Sequence, residues 1–144
     1  MVAMTEEKPV PSIAELDAVL AENFSPWVLD LGLRVLEAGP RHATLLLPWS
    51  DRLAREGGTL SGQAMMAAAD TATVIAVTAA RGGYVQMATV QQSTTFQLPV
   101  LGEDLLVRAE ITKLGRVAFT DIVMTVTHSA HVVARASTVY MLLG

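Results

Sequence analysis

The spacing of hydrophobic and polar positions changes three times along the chain. Ser12-Ile-Ala-Glu15 forms a capping box, and Ile13, Leu16, Val19 and Leu20 after it give one apolar face, which predicts a short helix that breaks at Asn23 to Pro26. Leu31, Leu33 and Val35 then alternate with Gly32, Arg34 and Leu36, the period of a strand. Gly39-Pro40 turns the chain into a second strand over Arg41–Leu47, so a hairpin is expected. From Ser61 to Arg81 the alternation disappears and the chain is small and apolar on every side. That pattern predicts one long buried helix, capped by Ser61 and ended by Gly82-Gly83. Alternation returns in Tyr84–Gln97, Asp104–Lys113, Val117–Thr127 and His131–Leu143, four segments rich in Val, Ile, Thr, Phe and Tyr. Short connections between them imply antiparallel neighbours. Strands on both sides of a single long helix describe an α+β domain in which an antiparallel sheet wraps around one central helix. Residues 1–11 read as a flexible leader and 12–144 as a single domain.

One residue breaks the apolar helix. Asp70 lies in Ala64-Met-Met-Ala-Ala-Ala-Asp70-Thr-Ala-Thr-Val-Ile-Ala-Val-Thr-Ala-Ala80, with Met66, Ala67, Thr73 and Val74 as its helical neighbours and no cation among them. A carboxylate placed where hydrocarbon is being buried costs several kcal/mol, so about that much must be returned by hydrogen bonds, protonation or a pocket. Two readings follow. Asp70 is a structural carboxylate bonded to threonine hydroxyls or backbone, or it lines a pocket as a general base or nucleophile. At the helix start, Gly57-Gly58-Thr-Leu-Ser61-Gly62-Gln63 offers free backbone N–H groups at the positive end of the helix dipole. Such a terminus suits a developing oxyanion, and it equally suits a plain glycine turn with an N-cap. Gly62 and Asp70 are eight residues apart, roughly 12 Å along a helix, and cannot grip one carbonyl together. If both act on the same atom, they come from different subunits and the site lies at a dimer interface.

Composition points the same way. Of the 144 residues 51% are hydrophobic and only 17% charged, and with a mean hydropathy of +0.42 the surplus calls for a second buried surface between subunits. A homo-oligomer is expected. The formal net charge of −4 argues against a nucleic-acid partner, and the absence of cysteine removes disulfides and thiolate chemistry. Met1 to Val10 has neither the basic nor the apolar part of a signal peptide, so the expected location is cytoplasmic. Residues 64–80 approach membrane-spanning length, but their Ala and Thr content and the central Asp70 favour a buried helix of a soluble protein, with no membrane partner.

The segment Leu60-Ser-Gly-Gln-Ala-Met-Met-Ala-Ala-Ala-Asp-Thr-Ala72 resembles, without a gap, the His-Gly-Gly motif and following Leu-Ala-Asp-Thr-Ala helix of hotdog-fold acyl-CoA thioesterases of the PaaI type. Thr94-Thr-Phe-Gln-Leu-Pro-Val-Leu-Gly102 resembles their Phe-Leu-Arg-Pro…Gly segment, and the likeness covers roughly residues 27–143. The resemblance implies a hotdog fold, an acyl-CoA substrate and a tetramer built as a dimer of dimers. It implies that Asp70 is the catalytic carboxylate and that the Gly62 N–H polarises the thioester carbonyl. Three positions depart from it: Ser61 stands where the family has histidine, Gln63 replaces the second glycine, and Arg55 replaces an upstream Asn or Gln. Ser61 can cap the helix but lacks an imidazole's basicity, while Arg55 can meet a carboxylate or phosphate, or pair with Glu56.

The candidate catalytic set is therefore Asp70, Gly62 and Ser61, and the candidate substrate-binding positions are Arg55, Gly58, Gln63, Val74, Ser93 and Thr94. Val74 stands one turn after the carboxylate, and Ser93 and Thr94 on a strand near the pocket mouth. His42, His128 and His131 are too scattered for a metal site, and none is expected. No Gly-x-Ser-x-Gly elbow supports a serine hydrolase. Arg108, Lys113 and Arg116 suit CoA phosphates or a solvated strand face, and the methionines an acyl pocket or plain core. No cofactor is expected, CoA entering as part of the substrate. Two functions remain open: thioester hydrolysis, and a non-catalytic hotdog that binds acyl-CoA or serves in assembly. A hydratase-type hotdog would need a His–Asp or His–Glu pair, which the sequence does not offer.

Overall fold

Ser61 starts the long helix as its position predicts. In the computed structural model, which describes residues 8–144, its hydroxyl accepts from the Ala64 N–H at 3.3 Å and caps α3, Gly62–Arg81. At the other end Gly82 takes a left-handed φ of +80°, and the Gly83 N–H closes on the Thr78 carbonyl at 3.1 Å. Between these caps every residue from Ala68 to Ala79 is buried except Asp70. Three threonines hide in this stretch because each hydroxyl bonds back to a carbonyl four residues earlier: Thr71 to Ala67, Thr73 to Ala69 and Thr78 to Val74. Thr73 also meets Thr138 at 2.8 Å, fastening the helix to the sheet. The alanines keep the helix thin, so strands approach it closely. The same helix is long and apolar enough to cross a membrane, yet 72% of its most apolar window is buried inside the fold.

Ahead of it lie α1, Ile13–Asn23, with the expected Ser12/Glu15 capping box in place, and the strands β1, Arg34–Ala38, and β2, His42–Leu47. Leu31, Leu33 and Val35 are buried, as their alternation requires, and β1 begins three residues later than predicted because a short helix, α2, Pro26–Leu29, occupies the preceding segment. Pro26 sits at the first position of α2, where its missing N–H costs nothing; the sequence reading took it only as a break. Of the predicted leader, residues 1–7 lie outside the described residues, and 8–11 carry no helix or strand.

After α3 come β3, Met87–Phe96, β4, Leu105–Lys113, β5, Val117–Val126, and β6, Val132–Leu142. The six strands form one antiparallel sheet in the order β1-β2-β4-β5-β6-β3. The expectation that consecutive strands pair holds for β4, β5 and β6 and fails for β3, which lies beyond β6 rather than beside β4. The connection 97–104 makes this possible: it runs back past the start of α3, where the Leu60 N–H donates to the Val100 carbonyl at 2.9 Å, and delivers β4 to β2. Thus β1 and β3 are the sheet edges, and the core lies between α3 and one sheet face.

A bulge decides which side chains of β3 reach the helix. Thr89 pairs with Tyr140 but Gln91 pairs with Val139, so Val90 is an extra residue that shifts the alternation by one. Thr89 faces α3 before it, and Gln92, Thr94 and Phe96, opposite buried Thr138, Ala136 and Ala134, face α3 after it.

Candidate active site

Asp70 leaves α3 half-buried and aimed between β3 and β6. Its Oδ1 accepts two hydroxyl hydrogen bonds, from Thr89 Oγ1 at 2.9 Å and from Tyr140, a short contact. The Tyr140 hydroxyl also lies 3.0 Å from the Asp70 backbone carbonyl. Among the described residues no donor reaches Oδ2. A cavity of about 190 Å³ surrounds the carboxylate, lined by Phe24, Val74, Met87 and Tyr84 besides the two hydroxyl residues and Asn23. No Lys, Arg or His is among these, so among the described residues the anion is supported by hydroxyl dipoles.

The helix start opens elsewhere. Gly62 lines a separate concavity of about 1020 Å³ with Arg55, Gln63, Met65, Met66, Phe96 and the 97–100 segment. A Cβ built on Gly62 would stand 3.2 Å from Phe96 Cζ, so the glycine lets the ring lie against the helix terminus. The loop before it turns through Gly57 and Gly58, both at positive φ, and is closed by the Arg55 N–H to the Thr59 carbonyl at 2.8 Å. The two candidate groups, Asp70 and Gly62, therefore sit on one helix, roughly 12 Å apart and facing different cavities.

The model of a known family, described as the thioesterase superfamily, matches residues 57–127, about half of the chain, and takes in both halves of that helix. The chain belongs to the thioesterase superfamily. The fold is shared more widely than the sequence. A thioesterase from Haemophilus influenzae superposes with a TM-score of 0.83 at 18% identity, covering 97% of this chain and 96% of that one. The Escherichia coli PaaI protein from the phenylacetic acid degradation operon superposes at 0.79 and 16% identity, covering 92% and 97%. A Streptococcus mutans protein solved with acetyl-CoA bound superposes at 0.70 and 18% identity, covering 78% and 89%. These likenesses show the hotdog fold, an α+β sheet wrapped around one long helix. No curated protein sequence matches the chain.

Within this thioesterase-superfamily fold the sequence candidates divide between the two cavities. Asp70 and Val74 line the small one; Gly62, Arg55 and Gln63 line the large one. Ser61 spends its hydroxyl on the Ala64 N–H and lines a third hollow of about 280 Å³ beside Trp27, to which Gln63 also contributes. Arg55 makes no ion pair among the described residues, with Glu56 or any other, so its charge is available to the concavity. Arg108, for which a phosphate contact and a solvated strand face were both open, lies on the strand surface and pairs with Glu37 at 3.0 Å. Gly58 is exposed in its turn, its N–H donating to the Arg55 carbonyl. Ser93 and Thr94 separate: Thr94 faces α3 and accepts from Gln92 Nε2 at 3.3 Å, whereas Ser93 pairs with exposed Ser137 and lies on the outer sheet face. Gln92 Nε2 also donates to the Met66 carbonyl at 3.1 Å.

Tyr140 and Thr89 were missing from the sequence reading. The available signal was a tyrosine at a core-facing step of β6, since a buried phenol needs a hydrogen-bond partner. Burial, then the Asp70 charge and hydrogen bond, push the Tyr140 phenol far above its ordinary value of 10.0. A raised value means that folding favours the neutral phenol. Its contribution is complete below pH 10, where both states hold the proton, and is lost above pH 10, where only the unfolded chain releases it. Urea unfolding between pH 9 and 11.5 is expected to show stability falling by up to about 1.4 kcal/mol per pH unit more in the wild type than in Tyr140→Phe. Parallel slopes would show that the phenol is not held neutral.

Proposed function

We propose that the chain is an acyl-CoA thioesterase whose reaction centre is completed by a second copy, Asp70 of one subunit facing the partner's Gly62. The observation that carries this reading is the separation of the two groups. One helix holds the carboxylate in a cavity of about 190 Å³ and the oxyanion donor in another of about 1020 Å³, and neither is complete alone. An unpaired edge supports assembly. β3 has no strand on its outer side, and Met66, Val90, Phe96, Leu98 and Leu101 on or near it are exposed, an apolar edge that isolated proteins avoid.

In the completed site the thioester carbonyl accepts the partner's Gly62 N–H at the positive end of α3. Asp70 takes a proton from water as the water oxygen adds to the carbonyl carbon, or the carboxylate itself adds there and water later cleaves the anhydride. Either way the C–S bond breaks, the thiol leaves with a proton, and a carboxylic acid remains. The acetyl-CoA bound by the Streptococcus mutans neighbour supports a CoA ester as substrate. Arg55, at the rim of the concavity and without an ion pair among the described residues, suits its phosphates or an acyl carboxylate.

Acetyl-, benzoyl- and palmitoyl-CoA, assayed by free-thiol release, should give turnover on at least one ester. Light scattering should give a mass of two or four times 15.3 kDa. A stable, active monomer would defeat the shared site. Tight acyl-CoA binding without turnover would establish the non-catalytic alternative.

A further inference from the structure

We infer that Tyr140 and Thr89 are positioning residues that clamp Oδ1 of Asp70, so that Oδ2 is the oxygen that takes the proton or attacks. The inference rests on the hydrolase reading and extends it to the groups that set the carboxylate's working geometry. Both hydroxyls converge on the same oxygen: Thr89 Oγ1 from β3 at 2.9 Å and the Tyr140 phenol from β6. Their elements are fixed independently of the helix. Thr89 and Tyr140 are directly paired in the β3–β6 ladder, one step before the Val90 bulge, and Tyr140 is only 2% exposed.

A carboxylate oxygen that accepts two such bonds cannot rotate without breaking both. Oδ2, with no donor among the described residues, is left to the reaction. Tyr140 suits this task because its surroundings keep it neutral through the range in which an Asp works, and a neutral phenol beside a carboxylate donates. Among the described residues that line the cavity there is no Lys, Arg, His or second carboxylate to compete for Asp70.

Protein labelled with ¹³C at the aspartate carboxyl, with the Asp70 resonance identified by its loss in Asp70→Asn, reads the clamp without reference to catalysis. Removing one donor, in Tyr140→Phe or Thr89→Val, should shift the Asp70 carboxyl resonance at neutral pH, the effect of losing a hydrogen bond to the carboxylate oxygen. Thr89→Ser, which restores a hydroxyl, should return it. On the acyl-CoA turned over in the free-thiol assay, kcat should fall about tenfold in the same variants with KM little changed.

Two variants on different strands guard against one failing to fold. Unmoved resonances in both would overturn the clamp. Moved resonances with unchanged kcat would overturn its role in hydrolysis. Moved resonances in variants of a wild type that cleaves no thioester would refute the hydrolase reading and with it that role, leaving the clamp as a structural fact.

Discussion

Asp70→Asn is expected to lower kcat by about 10²–10⁴-fold on any acyl-CoA the protein hydrolyses, with its fold and oligomeric mass unchanged. The substitution is close to isosteric. The Asn carbonyl still accepts from Tyr140 and Thr89 at the Oδ1 position, so the hydroxyls stay satisfied and the helix stays fastened. What disappears is the capacity of Oδ2 to take a proton or form an acyl bond. Thermal unfolding should show the variant at least as stable as the wild type, because a half-buried anion with no cationic partner has been neutralised. Free-thiol release measured beside the melting curve separates lost chemistry from lost structure. Equal turnover in both proteins would remove Asp70 from the mechanism.

Gly62→Pro deletes the other half. Gly62 is the first residue of α3, whose N–H has no partner within the helix, and a proline there costs no helical hydrogen bond. Ser61 already has φ −67° and ψ 145°, the extended conformation that a following proline demands. The substitution therefore subtracts one N–H from the helix terminus. Gly62→Ala is its companion, adding bulk against Phe96 while keeping the donor. The ratio of the alanine rate to the proline rate measures the N–H, and is expected to be about 10²–10³. Mixing the two inactive proteins, Asp70→Asn and Gly62→Pro, gives the sharper result. In a mixed dimer one site carries both lesions and the other carries none, so random reassembly should restore about a quarter of wild-type activity. No recovery, with subunit exchange verified by mass spectrometry of differently labelled chains, would overturn the shared site.

Helix α3 was legible because its ends are written in local chemistry. Ser61 and Gly82-Gly83 cap it whatever the sheet does, and Asp70 is conspicuous because nothing else between Ala68 and Ala79 is charged. The strand segments were legible for a similar reason, their alternation surviving any order of pairing. That order was not. β3 passes over its sequence neighbour to join β6, a choice made by the 97–104 connection and by Thr138 meeting Thr73, contacts 65 residues apart that leave no local trace. The carboxylate's partners were hidden in the same way. Thr89 is 19 residues from Asp70 and Tyr140 is 70, while the threonines beside it in sequence, Thr71 and Thr73, spend their hydroxyls on α3 itself. Arg55 and Glu56 are adjacent in sequence and still do not pair.

Ser93 and Thr94 are neighbours on one strand and so point to opposite faces, and, counted from Thr89, the extra residue at Val90 decides which of the two meets α3. Two complete sets of side chains are thus threaded on one strand: Gln92, Thr94 and Phe96 turned toward α3, and Gln91, Ser93 and Thr95 on the outside. Loss of the single codon for Val90 would leave both sets where they are, because Thr89 and Gln91 already pair with the consecutive residues Tyr140 and Val139 and the ladder would simply close up. The bulge is a joint at which the strand can shed a residue without rebuilding the face that meets the helix.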